Sequence, residues 1–403
     1  MKKLFAIMIA AMSFAACAND DNYDWDYFTQ NYGNNGNEAP ADSTQAGDTT
    51  IVAEPDTFYV SIAYDGNTAS LTGDVDKVTV SRSDADVIIT SNVTNYLQLT
   101  LSGSTTDGSL LVYSQKKYGI VLNGVSIGNQ RGPAINNQCG KALYLTLADN
   151  MENTLTDGTA YADAPAGSDG KAIDQKATLF SEGQIYFQGT GSLTVNANAK
   201  NGIASDDYIV LNEGNINVSV ASTGTNGVKV NDGLTINGGQ LTIGVTADGA
   251  RGIKNDSYTT ITGGETTITT KGGCLIEEDE TTGVVDTTSA AGIKCDSLFA
   301  MSGGRLTITS SGDGGKGINC SQNVEVSGGT LTVTTTGKNE DGKPKGIKSD
   351  TGIIVSGGSV SVSVKKSWAC DNGTDSEDPA DRVTVLGSPT TCTLAKRSVI
   401  ITF

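Results

Sequence analysis

The chain contains no histidine. That absence removes the Ser-His-Asp triad, histidine acid–base catalysis and histidine-ligated zinc, and with them a large share of enzyme classes. No basic run is present either: 27 Lys and Arg stand against 45 Asp and Glu, for a net charge of −18, so nucleic acid is not an expected partner. The seven cysteines include no C-x-x-C pair, which removes the usual thiolate metal spacing. No window carries a sustained 3.6-residue apolar period, which argues against an α-solenoid. Aromatic residues make up only 6% of the chain. The one long apolar run, Leu4 to Ala16 behind Lys2 and Lys3, is too short to span a bilayer with normal flanks and has the form of a secretion signal.

What the chain does have is glycine, 50 residues of it, set among Thr, Ser, Val and Ile, a composition suited to short strands and tight turns. Six stretches repeat one pattern: Gly-Ile/Val, a short polar step, a β-rich run, a Gly-rich turn and a second β-rich run. Their leading glycines are Gly202, Gly227, Gly252, Gly292, Gly317 and Gly346. The second glycine of the turn drifts in step with them, through Gly214, Gly239, Gly264, Gly304, Gly329 and Gly358. The commonest step is about 25 residues, the size of a solenoid repeat. A long insert lies between Gly252 and Gly292 and a short one between Gly317 and Gly346. Two landmarks moving together define a structural repeat, and a repeat of this size means stacked units.

Apolar columns follow from the alignment: Leu211, Ile236, Ile261, Met301, Val326 and Val355; Ile216, Leu241, Thr266, Leu306, Leu331 and Val360; Val218, Ile243, Ile268, Ile308, Val333 and Val362. With period two inside each strand these point inward, and the intervening Thr and Ser face solvent. Three short strands in about 25 residues predict one turn of a right-handed parallel β-helix, with successive turns stacked at about 4.8 Å. A propeller blade would need four strands and roughly 40–45 residues. The fold class is therefore all-β, a solenoid with an irregular N-terminal β cap. Strands are expected at Phe58 to Ala63, Val75 to Ser81, Val87 to Thr90, Tyr96 to Ser102, Leu110 to Tyr113, Tyr118 to Ile127 and Ala142 to Leu147.

The expected organisation is a signal peptide over residues 1–16, an acidic tether over 17–55, a β cap over 56–117, the parallel β-helix over 118–390 and a C-terminal strand over 391–403. Phe14-Ala15-Ala16-Cys17 resembles a lipobox, which makes Cys17 the lipidated first residue of the mature chain. Ala18-Asn19-Asp20-Asp21 resembles the acidic tetrad that sends lipoproteins of Bacteroidetes-type bacteria to the cell surface. The expected location is thus the outer membrane, held by a lipid anchor alone, as a monomer.

The first strand of each unit has the form Gly-Ile/Val-x-y-z, so x and z share the outer face. At x stand Ala204, Lys229, Lys254, Lys294, Asn319 and Lys348, and at z stand Asp206, Asn231, Asp256, Asp296, Ser321 and Asp350. Ser367 to Asp371 continues the register with Trp368 inward and Asp371 in the acidic column. Stacked carboxylates about 4.8 Å apart repel by about 0.9 kcal/mol in water and about 3.5 kcal/mol at an effective dielectric of 20. Cross-pairing with the lysines can offset that, and so can Ca²⁺ held by Asp206, Asp256, Asp296, Asp350 and Asp371. The y column, Ser205, Val230, Asn255, Cys295, Cys320, Ser349 and Cys370, points inward. Cys295 and Cys320 fall on adjacent turns, as buried thiols or as a disulfide. The two inserts, Gly272 to Ala290 with its Glu277-Glu278-Asp279-Glu280 run and Gly337 to Pro344, fall at one corner and form either a wall beside the charged face or a solvated loop.

NTLTDG (Asn153 to Gly158), GTGSLTV (Gly189 to Val195), NGIASDD (Asn201 to Asp207), LNGVSI (Leu122 to Ile127), GPAI (Gly132 to Ile135) and the recurring GIK-x-D and SGG-x-L-T units together resemble bacterial carbohydrate-binding-domain proteins of the parallel β-helix, polysaccharide-lyase-like type. The resemblance covers roughly residues 75 to 375. It implies binding of Ca²⁺ and of a polysaccharide such as cellulose or an acidic, pectin-like chain. Asp206, Asp256, Asp296 and Asp350 match the family's acidic turn motif, whereas Asn231 and Ser321 depart from it. Lys229, Lys254, Lys294 and Lys348 are the expected sugar contacts. Two other functions compete. A Ca²⁺-dependent lyase would use Lys254 or Lys294 as base, but every turn repeats the same chemistry and none stands out. An adhesin or spacer would bind no glycan at all.

Overall fold

The computed structural model describes residues 56–167, 170–278, 283, 285–338 and 342–403. The signal segment, Cys17 and the whole tether to residue 55 lie outside the described residues, as do Asp279 and Glu280 of the first insert.

Among the described residues there is no α-helix. Asn201–Ser205, Tyr208–Leu211 and Asn215–Val220 make one turn, and each strand pairs in parallel with its counterpart in the next turn, as in Ala204 with Lys229, Leu211 with Ile236 and Val218 with Ile243. Three ladders result. The one built from the first strands contains twelve strands; the first is antiparallel and the other eleven stack in parallel. The expected parallel β-solenoid of about 25 residues per turn is the architecture of the protein.

The core is a set of unbroken apolar columns. One runs Val60, Leu99, Ile120, Leu145, Phe187, Leu211 in register and continues to Val355, with no member more than 2% exposed. Burying each such side chain stabilises the coil by about 1.5–3 kcal/mol. The columns therefore extend through the first half, where no regular spacing is visible in the sequence. The reason is unequal turn length. Leu145 and Phe187 are register partners across a long insert, whereas the next step in the same column, from Phe187 to Leu211, is little more than half as long. A single 12-residue strand, Tyr118–Asn129, also serves two ladders, pairing with both Leu143–Leu147 and Glu152–Asp157.

Antiparallel pairs close both ends. Phe58–Asp65 pairs with Thr68–Gly73, and Thr79–Ser83 with Asp86–Ser91; at the far end Ser359–Val364 pairs with Ser398–Thr402, itself paired with Thr391–Ala395. These hairpins occupy edges that would otherwise offer rows of unpaired backbone groups. Val75–Lys77, expected as the start of a strand, is a 3-10 turn, and the strand begins at Thr79.

Two glycine positions explain the repeat signature. At Gly252 an added Cβ would run into Ile268 Cγ2 of the core, so Gly and the following Ile both face inward and only glycine fits. At Gly264 the backbone has φ of 71°, the left-handed region that a tight turn requires.

Candidate functional site

The expected pair of charged columns exists on one outer face. Register places Ala204, Lys229, Lys254, Lys294, Asn319 and Lys348 in one line. Each lysine leans toward the acidic column beside it. Lys254 pairs with Asp256, Lys294 with Asp296 and Lys348 with Asp350, in each case the residue directly after the end of the lysine's strand. Lys229 reaches forward one turn to Asp256 at 2.7 Å and also donates to Asn231 Oδ1 at 2.6 Å. Asn231 donates in turn to Asp206 at 3.3 Å, and Lys294 donates to Ser321 Oγ at 3.1 Å, so the two non-acidic members still join the network. Cross-pairing thus contributes to offsetting the stacked carboxylates. Burial alone would push the Asp256 carboxyl up, but hydrogen bonds from Lys229 and Lys254 carry it below the ordinary range. The lysines are 19–31% exposed and their aspartates 36–51% exposed, so these are surface pairs worth about 0–1 kcal/mol each.

The acidic column extends one turn beyond the sequence-based expectation. Ser181 is the register partner of Ser205, which sets Glu182 directly before Asp206 in the column. Asp174 completes a cluster in which carboxylate oxygens of Asp174, Glu182 and Asp206 lie within 4.8 Å of one another. Lys176 reaches into the cluster, 2.7 Å from Asp174 and bonded to Asp206. Burial first, then the charges of Asp206 and Asp174, push the Glu182 carboxyl up. The sequence signal for Glu182 was present in the near-repeat step from Ser181 to Ser205, but its turn lacks the leading glycine. Asp174 lies in a third insert, between Glu152–Asp157 and Ala177–Ser181, at the same corner as the other two. That insert accompanies Phe180 and Ala204, both buried, where the lysine column would otherwise continue.

Asp371 does not stand in the acidic column. Lys345 pairs with Trp368, Ile347 with Cys370 and Lys348 with Asp371, a register shifted from the expected one. Asp371 therefore occupies the lysine column, where Lys345 and Arg382 each bind it at 2.7 Å. Trp368 lies opposite Lys345 and is covered by Arg382 and Lys396, 3.8 and 4.4 Å from its ring centroid, and Cys370 takes the place of a core Ile. The inward y column has a purpose that residue types alone did not reveal: Ser205 Oγ, Asn255 Oδ1 and Ser349 Oγ each accept from a backbone N–H just beyond the strand and turn the corner. Cys295 and Cys320 hold two further places there as free thiols, their sulfurs 3.0 Å apart.

A further corner column escaped the sequence reading: Arg251, Ala291, Lys316 and Lys345 are register partners beside the lysine line. Lys316 is buried and donates to Ser289 Oγ at 2.5 Å and Gly342 O at 2.9 Å, tying the two later inserts together. Burial lowers its amine to about 8. The first of those inserts is an antiparallel hairpin, Leu275–Glu278 with Val285–Thr288, that leaves Leu275, Ile276 and Val285 exposed. All three inserts rise at one corner of the charged face.

The fold and site together define a parallel β-solenoid with one long outward face on which ionic side chains repeat turn after turn. Comparison with known proteins agrees. Residues 83–257 and 242–342 match the family described as carbohydrate-binding domain-containing protein, and together they cover more than half of the chain. The chain belongs to that family. A relative from Acetivibrio thermocellus, also described as a carbohydrate-binding domain-containing protein, is 35% identical over 121 residues, which is 30% of this chain; the chain spans 41% of that relative's length. Among solved structures, the polysaccharide lyase-like protein from C. thermocellum, in a gadolinium derivative, is similar with 29% identity and a TM-score of 0.52, covering 66% of this chain and 96% of its own.

Proposed function

We propose that the protein is a cell-surface lipoprotein that holds an extracellular polysaccharide on the Lys–Asp face without cleaving it. The observation that carries this reading is the lysine line itself: Lys229, Lys254, Lys294 and Lys348 stand outward on one continuous ladder, in a chain belonging to a carbohydrate-binding family. Each lysine is held by a partly exposed aspartate through a pair worth about 0–1 kcal/mol, so a uronate carboxylate can take it over at small cost. Calcium eases the exchange, because it satisfies the carboxylates that lose their lysines and screens an otherwise repulsive chain. Asp206 with Asp174 and Glu182 is the best-formed place for such an ion, with Asp256, Asp296 and Asp350 as weaker candidates. Non-catalytic binding fits the repetition of the same Lys–Asp pair on several turns, since a lyase needs one turn to differ. Lipid attachment at Cys17 follows from the lipobox-like start.

The experiment is retention of the purified chain on polygalacturonate and on cellulose, with and without EDTA, while unsaturated product is monitored. Calcium-dependent retention on polygalacturonate without product is the expected result, weakened by Lys254→Gln/Lys294→Gln; accumulation of product indicates a lyase, and no retention on either polymer removes the binding reading. In cells, Cys17→Ser should move the protein out of the membrane fraction, and continued membrane association would refute the anchor.

A further inference from the structure

Five of the thirteen tyrosines gather outside the second ladder, around the corner from the lysines. Tyr144 and Tyr186 are register partners with rings stacked at 5.1 Å and 17°. Tyr96 lies 6.5 Å from Tyr144 on one side, and Tyr208 meets Tyr186 edge-on at 5.7 Å and 88° on the other, with the two hydroxyls hydrogen-bonded. Glycines make room for the rings. Gly119, the partner of Tyr144, has Tyr96 Oη where its Cβ would be, 2.6 Å away, and Gly233, between Tyr208 and Tyr258, has the Tyr258 ring 2.5 Å away. In later turns the position of Tyr186 is taken by Val210, Thr235, Thr260 and Ala300, so the aromatic band is a local feature and not a property of the repeat.

Tyr96, Tyr144, Tyr208 and Tyr258 remain partly exposed on an outward sheet face, in a chain with few aromatics. Their polar neighbours are amides, hydroxyls and a carboxylate: Gln188 donates to Thr146 at 2.9 Å, and Gln184 binds Asp207. Asp207 is close enough to act on both Tyr186 and Tyr208, and Asp232 lies near Asp207 in turn. Two carboxylates at the rim repel a polyanion but accept hydrogen bonds from sugar hydroxyls. A pyranose with equatorial hydroxyls has apolar C–H faces suited to aromatic rings. Tyr144 and Tyr208 stand two turns apart, about 10 Å along the coil axis at the strand spacing, close to one disaccharide unit of an extended β-linked chain, with Tyr208 two residues aside from the row of Tyr144 and Tyr186.

We propose that the tyrosine band from Tyr96 to Tyr258 is a second glycan-binding surface, for a neutral β-linked polysaccharide laid along the coil axis. It rests on the reading of the protein as a polysaccharide binder and assigns neutral chains to a face separate from the lysines. Asp206 and Asp207, consecutive in sequence, mark the corner between the two faces.

The test compares the full chain with Tyr144→Leu/Tyr208→Leu and with Lys254→Gln/Lys294→Gln on insoluble cellulose and on polygalacturonate. The tyrosine variant should lose about tenfold in cellulose affinity, roughly 1.4 kcal/mol, and keep its circular dichroism and its polygalacturonate retention. The lysine variant should do the reverse. Tyr208→Phe, which keeps the ring, should stay close to the parent on cellulose. Cellohexaose added to the unaltered protein should perturb tyrosine absorbance, a readout independent of any folding defect in the variants. Undiminished cellulose binding by the tyrosine variant, no parent retention on cellulose, or loss of both polymers together with intact folding would each overturn the proposal. Polygalacturonate binding that survives either of the first two leaves the lysine reading standing by itself.

Discussion

Lys316 shows how the coil charges individual residues with conflicting demands. Its amine is buried beneath two inserts and bonded only to neutral oxygens, Ser289 Oγ and Gly342 O, among the described residues. Burial first, and then the neighbouring Lys348, Lys345 and Arg251 cations, lower it from 10.5 to about 8 against a raising contribution from Cys274. In the unfolded chain the amine keeps its proton up to about pH 10.4. Between those values the unfolded state binds more protons than the folded one, so this residue makes stability rise with pH across the window from about 8 to 10.5, while below it the full cost of the buried charge is present. Lys316→Met should flatten that rise, with a denaturation midpoint at pH 7.5 equal to or above the parent's. Parallel pH profiles for parent and variant, followed by urea denaturation, would contradict the assignment. Residue-level placement also corrected Asp371: its charge partners are Lys345 and Arg382, so it serves the end of the coil and not the acidic column.

At the scale of one strand and its corner, the controlling feature is the glycine before each inward Ile or Val. Gly252, Gly292 and Gly317 all bring a neighbouring turn's backbone and a core side chain so close that a Cβ has no place. Gly252→Ala forces Ile268 or the strand to shift, at a cost of about 1–3 kcal/mol typical of overpacking. A matching fall in the denaturant midpoint with unchanged slope is the expected measurement; a midpoint within error of the parent would show the corner to be pliable. The same element decides the charged site. Once glycine and Ile both turn inward, the next residue must face out, and strand alternation then returns Asp296 to the face that Lys294 occupies.

At the scale of the molecule the coil is nearly one-dimensional, with each turn resting on its two neighbours. Removing residues 227–251, one whole turn, should preserve register and leave a folded β protein with a modestly lower midpoint. Removing only 227–238 should not, because it brings unlike strands into one ladder and turns apolar columns outward. Circular dichroism and thermal melts of the two deletions check this, and equal stability for both would contradict a stacked coil. The inserts follow the same logic: they fall between ladders, where added residues disturb no strand, and all three rise from one corner.

The amino-acid sequence by itself determined the repeat length, the three apolar columns and the Lys–Asp face, because strand alternation and a constant glycine offset are local rules that survive insertion. It did not determine the first half of the coil, where Leu145 and Phe187 are stacked across a long insert, nor the place of Glu182 in the acidic column. Nor did it determine the register of Trp368 to Asp371 or the tyrosine band assembled from Tyr96, Tyr144, Tyr186 and Tyr208. Those depend on which residue of one turn lies above which residue of the next. Packing between turns sets that register, and unequal loops hide it from any count along the chain.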